Sequence, residues 1–158
     1  MTTPPTAAQA DALARLLEVT DSKDGAGVCV ALSEVWHAGL HPEMCELLVR
    51  LTEAPWHSRH EDVVLAIQEL QCASAVPALE RTAHATHAYR SYDEFFGLAR
   101  KCTWALADIG TPDAYQALQR LSQSTNSQIA AYALRRLTRW KDELARKPIG
   151  MIEIDVQA

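Results

Sequence analysis

The residues of this chain best suited to chemistry are its histidines, four of which fall into two close pairs. His57 and His60 precede Glu61 and Asp62, and His84 and His87 stand three apart. Positions three apart share a helix face, so either pair offers two imidazoles to a transition metal. Neither pair has the His-Glu-x-x-His order that sets a carboxylate between two helical ligands, and neither has a third ligand close in sequence. Both pairs are expected to be structural or surface histidines, with no metal. Acid–base or nucleophilic catalysis would need a nucleophile beside a base, or paired carboxylates in a cleft. Glu61, Asp62, Glu69, Asp93, Glu94 and Asp108 are the acids a concave face would have to assemble. Glu61 with Asp62, and Asp93 with Glu94, also stand where helices begin, and the helix dipole favours acids there. No glycine-rich phosphate loop and no nucleophile elbow is present. The expectation is a protein that is not an enzyme, with no catalytic residue and no cofactor.

Recognition is better served. The stretch from His84 to Phe96 carries Tyr89, Arg90 and Tyr92 together with His87, Asp93 and Glu94. Tyr and Arg combine large contact area with polar ends, and they anchor protein interfaces more often than other side chains. Trp56 and His57 lie in a connection between helices, Arg59 and His60 open the next helix, and Lys101 with Arg100 adds positive charge further on. Trp56, His57, Arg59, His60, His87, Tyr89, Arg90, Tyr92, Asp93, Glu94 and Lys101 are therefore the expected partner-binding residues. Phe95 and Phe96 read as core residues starting a helix. Trp36, Trp104 and Trp140 read as seals within helical segments.

Charge narrows the partner. Residues 1–79 hold eleven acids against four Lys or Arg, and residues 80–158 hold nine against eleven. An acidic half is a poor surface for nucleic acid, whose phosphates need cations, and a good one for steering a basic protein. No apolar run approaches the roughly 20 residues needed to span a bilayer. The N-terminus lacks the basic start and apolar block of a secretion signal. Cys29, Cys45, Cys72 and Cys102 form no Cys-x-x-Cys pair, so they read as reduced, buried thiols of a cytoplasmic protein.

Those residues must be positioned by helices. Ala and Leu dominate the apolar set, and punctuation divides the chain into eight segments. They begin near Thr6, Val28, Pro42, Ser58, Ser74, Asp93, Asp113 and Ser127. Ser58 with Glu61 has the form of a capping box, and the last helix is expected to reach about Ala145. Residues 148–158 form a short extended tail after a single domain of residues 1–147.

The segments repeat. Ala66-Ile-Gln-Glu-Leu70 overlies Ala105-Leu-Ala-Asp-Ile109 at an offset of 39, which also matches Ala75 to Ala114, Leu79 to Leu118 and Arg81 to Arg120. Ala133-Leu-Arg-Arg-Leu137 follows at an offset of 28. The extra eleven residues fall between His84 and Asp93 and their neighbours, which makes that stretch an insertion. A period of this length built from paired helices marks a solenoid, because one pair cannot bury both its faces.

Here the chain resembles HEAT repeats of the short bacterial kind seen in phycobilisome-lyase-like proteins. The likeness rests on Ala105-Leu106, Ile109-Gly110-Thr111-Pro112-Asp113-Ala114 and Ala117-Leu118, with Ala75-Val76-Pro77-Ala78-Leu79 as the preceding copy. It implies an all-α, HEAT-like superhelix of about four helix pairs that binds a protein. Among such proteins it also resembles immunity proteins, whose role would be to neutralise a toxin domain, here a basic one. The alternatives are a general scaffold and a HEAT-like lyase or cofactor-handling protein; a monomer is expected, without membrane or nucleic-acid partners.

Overall fold

The computed structural model describes residues 2–142, in which eight α-helices and three short 3-10 turns occur and no strand. The helices are α1 (Ala7–Asp21), α2 (Gly25–Ala38), α3 (Cys45–Thr52), α4 (His60–Leu70), α5 (Val76–His84), α6 (Gly97–Ile109), α7 (Pro112–Leu121) and α8 (Ser127–Thr138). Their starts follow local chemistry. Thr6 and Gln9 exchange hydrogen bonds in a capping box ahead of α1, and Asp24 accepts from the Gly27 amide to start α2 three residues before Val28. Thr111 caps α7 with Pro112 in its first turn, and Asn126 accepts from the Gln128 and Ile129 amides at α8.

Successive helices pair as α1–α2, α3–α4, α5–α6 and α7–α8. The odd-numbered helices stack on one another as an outer layer, and α4, α6 and α8 stack as the inner one. This is a short helical solenoid. The offset of 39 is a structural register: Ala75 and Ala114, Ala66 and Ala105, and Leu79 and Leu118 are all completely buried. Small Ala side chains let the helices approach while Leu and Ile fill the space between the layers. The ends of α4 and α6 keep the register too, with Gln71 and Gly110 both in the left-handed region (φ 52° and 69°). On the outer rim, Arg50 pairs with Asp21, Arg81 with Glu53 and Arg120 with Glu80, each arginine reaching back to the preceding outer helix. Gly25 lies against the backbone of Trp56 with no room for a Cβ, and so fits the start of α2 against the α3–α4 connection.

Five local expectations change. Ser58 and Glu61 form no capping box: Arg59 occupies the cap position without a side-chain bond, because the His57 ring takes its amide and Glu61 faces Arg90. The helix opened by Asp93 begins only at Gly97. Two of the cysteines are not reduced thiols: Cys45 and Cys72 form a disulfide with Cα atoms 5.8 Å apart, while Cys29 and Cys102 are free. The start of α3 stacks beside the turn leading to α5, so residues 27 apart in sequence become neighbours. Trp36 is 39% exposed and seals nothing, whereas Trp140 is buried. α8 ends at Thr138; the predicted tail and the segment from 143 to 145 lie outside the described residues.

Candidate functional site

The α3–α4 connection, the first turn of α4 and the insertion from Ala85 to Phe96 meet at one edge of the solenoid. Its foundation is a column of histidine rings. His57 stacks on His60 with centroids 4.0 Å apart, and His60 stacks on His87 at 3.9 Å. The Nδ1 atom of His57 accepts from the Arg59 amide (3.0 Å), so its Nε2–H donates to the Leu51 carbonyl (2.6 Å). In His60, Nε2–H donates to the Ala54 carbonyl (2.7 Å), leaving Nδ1 to accept from the Tyr89 hydroxyl (2.6 Å). The Arg59 amide fixes His57 as the neutral Nε2–H tautomer, and the Ala54 carbonyl sets the Nε2–H of His60. Burial, with help from the neighbouring imidazoles, holds His57 below its ordinary pKa and pushes His60 down to about 4. Burial first and Arg90 second lower His87 as well.

The insertion is fastened to this column by polar contacts. Tyr89 reaches His60, and Arg90, with its side chain only 14% exposed, bridges Glu61 of α4 (2.7 Å) and Asp93 (2.6 Å). Asp93 in turn accepts from the amides of Phe95 and Gly97 (3.2 and 2.8 Å) and so turns the chain into α6. Phe96 sits in the left-handed region at φ 52°, where a bulky L-residue is strained and no helix continues backwards. The consequence overturns a sequence expectation. Phe95 is 71% exposed and Phe96 38%, so neither is a core residue opening the helix. Tyr92, at 77%, lies beside them in sequence and completes an aromatic surface on a loop that is itself tied down.

The predicted partner-binding residues therefore divide into three groups. His57 and His60 are buried, and His87, Arg90 and Asp93 are partly buried in the supporting network. Trp56 packs edge-on against the His57 ring (5.4 Å) and is half-buried. Tyr89, Tyr92, Glu94 and Arg59 are exposed, although Arg59 also contacts Asp62 and the Cys29 sulfur. Lys101 stands apart on α6, lining a shallow depression with Glu61, Gln68, Arg100 and Trp104. Phe95 belongs to the exposed group and was missed, since an apolar ring before a helical run reads as core. The signal that would have found it is Asp93, an Asx-type residue two positions upstream that competes for the local amides.

Both nitrogens of His57 and of His60 are engaged with backbone or Tyr89, and among the described residues no group of three or more His, Cys, Asp or Glu could hold a metal ion. No helix among them is long and apolar enough to cross a membrane.

No curated protein and no solved structure is significantly similar to the chain. Residues 98–124 match the family model of the PBS lyase HEAT-like repeat, a span that takes in most of α6, all of α7 and the turn between them. The match joins the second helix of one pair to the first helix of the next, and the likeness of this chain to HEAT-like proteins rests there.

Proposed function

We propose that this chain is a protein-binding module that engages its partner through the aromatic edge formed by the insertion. The observation that carries this reading is the pair Tyr92 and Phe95, both more than two-thirds exposed on a loop braced by Arg90, Asp93 and the histidine column. Exposed aromatic rings on a fixed support lose little conformational freedom on binding, which is the economy of an interface anchor. The HEAT-like repeat supports the same reading, since stacked helix pairs present extended surfaces to other proteins.

In its finer form, the partner is a basic toxin domain and the chain neutralises it. The support for this is the acidic balance of residues 1–79, which would speed the approach of a cationic protein. Affinity capture with the full chain, followed by mass spectrometry, tests both levels. A single stoichiometric partner that is toxic alone and silenced by co-expression supports neutralisation. A partner bound without loss of its activity supports a scaffold instead, and a small molecule retained with no protein contradicts both.

A further inference from the structure

Next to the aromatic edge, where the Tyr132 hydroxyl of α8 donates to the Phe95 carbonyl (2.6 Å), lies an open pocket of about 260 Å³. Arg100, Thr103 and Trp104 of α6 form one wall, and Tyr132, Arg135 and Arg136 of α8 with Arg139 just past its end form the other. Among the described residues, no carboxylate lines it. This sets the pocket apart from the rest of the surface. Arg15, Arg50, Arg59, Arg81, Arg90 and Arg120 each have a carboxylate between 2.5 and 3.8 Å away. Arg100, Arg135 and Arg139 have no ion pair among the described residues, although Arg135 in the last turn of α8 and Arg139 at its cap stand four positions apart, where like charges repel. Arg136 is buried to 3% exposure, with its guanidinium 3.6 Å from the centroid of the Trp104 ring, so one cation and one wall of the pocket are held in place.

We infer that this pocket receives an oxyanion group, a carboxylate or a phosphoryl, carried by an acidic segment of a protein partner. It rests on the reading of the chain as a protein-binding module and adds the partner's chemistry. Several guanidiniums converging on a small cleft match the planar or tetrahedral oxygens of such a group through forked, charge-assisted hydrogen bonds. A nucleic acid suits the setting less well. Its phosphates continue in both directions, whereas the depression beside the pocket already contains Glu61 and the chain as a whole carries a net charge of −5. A protein segment, by contrast, can place acids in the pocket and basic residues over the neighbouring α4.

The test is fluorescence anisotropy of the full chain with three labelled probes: a peptide with a short run of glutamates, the same peptide with one phosphoserine in place of the run, and an oligothymidylate. Binding of either peptide is expected to weaken roughly tenfold or more in Arg135→Ala/Arg139→Ala. It should recover in part in Arg135→Lys/Arg139→Lys, and stay within about twofold in Arg50→Ala/Arg81→Ala, which removes the same charge elsewhere. Circular dichroism of each variant confirms that the helices persist. The preferred peptide identifies whether carboxylate or phosphoryl is the better fit. Equal weakening in both alanine pairs, tighter binding of the oligothymidylate, or no peptide binding at all would overturn the pocket's assignment. A captured partner that binds Arg135→Ala/Arg139→Ala as well as wild type would overturn it too, while leaving the protein-binding reading intact.

Discussion

The connections α7–α8 and α5–α6 join the same kinds of helix, yet they are built in opposite ways. The first spans 122–126 and is closed by a single residue, Asn126, whose side chain accepts the amides that open α8. The second spans 85–96 and is closed by a network: the histidine column beneath it, the Arg90 clamp to Glu61, and the Asp93 carboxylate that gathers two amides. The short connection leaves only small or polar side chains outside. The long one spends its polar side chains on holding itself in place and leaves aromatic rings outside. A loop of this length without function would be expected to shed such rings, because exposed aromatics invite association.

Acid should break the comparison most strongly. His60 sits among His57, His87, Tyr89 and Arg90, with Glu61 on the far side of the arginine, and its pKa falls from 6.5 in the unfolded chain to about 4. The folded state therefore holds fewer protons than the unfolded state between those values. The stability tied to the neutral ring is complete above pH 6.5 and is lost as pH falls towards 4, by on the order of 3 kcal/mol. His57 and His87, also lowered, act in the same direction. Urea denaturation across this range should show the fall in wild type and a shallower one in His60→Gln. Stability that stays flat from pH 7 to pH 4 would contradict the neutral column.

A smaller effect separates the two connections directly. Arg90→Ala strips two partly buried carboxylates of their partner and should cost roughly 1–3 kcal/mol, with new protease cleavage confined to residues 85–96. Asn126→Ala loses one cap, worth about 1 kcal/mol, and should lower the melting temperature without opening a cleavage site. Cleavage appearing in both variants, or in neither, would mean that the two connections are held alike.

The body of the fold was legible because it repeats. Ala75 and Leu79 announce Ala114 and Leu118, and the change of offset from 39 to 28 reveals the insertion without any knowledge of its shape. What happens inside the insertion was not legible, since its order comes from contacts across the fold. Arg90 finds Glu61 twenty-nine positions away, and Tyr89 finds His60 at the same separation. Phe95 was misjudged because residue type alone reports apolarity, whereas its exposure is decided by where Asp93 sends the amides. Cys45 and Cys72 were misjudged for a related reason: their spacing becomes meaningful only when read as one turn of the stack.

The central claim is that the insertion's exposed rings carry partner binding, and the most direct test is the affinity of a purified, captured partner for Tyr92→Ala/Phe95→Ala. Both side chains are solvent-facing, so stability should stay within about 0.5 kcal/mol of wild type. Affinity should fall by a hot-spot increment of about 2 kcal/mol or more. A double variant that melts as wild type and binds as wild type would contradict the account.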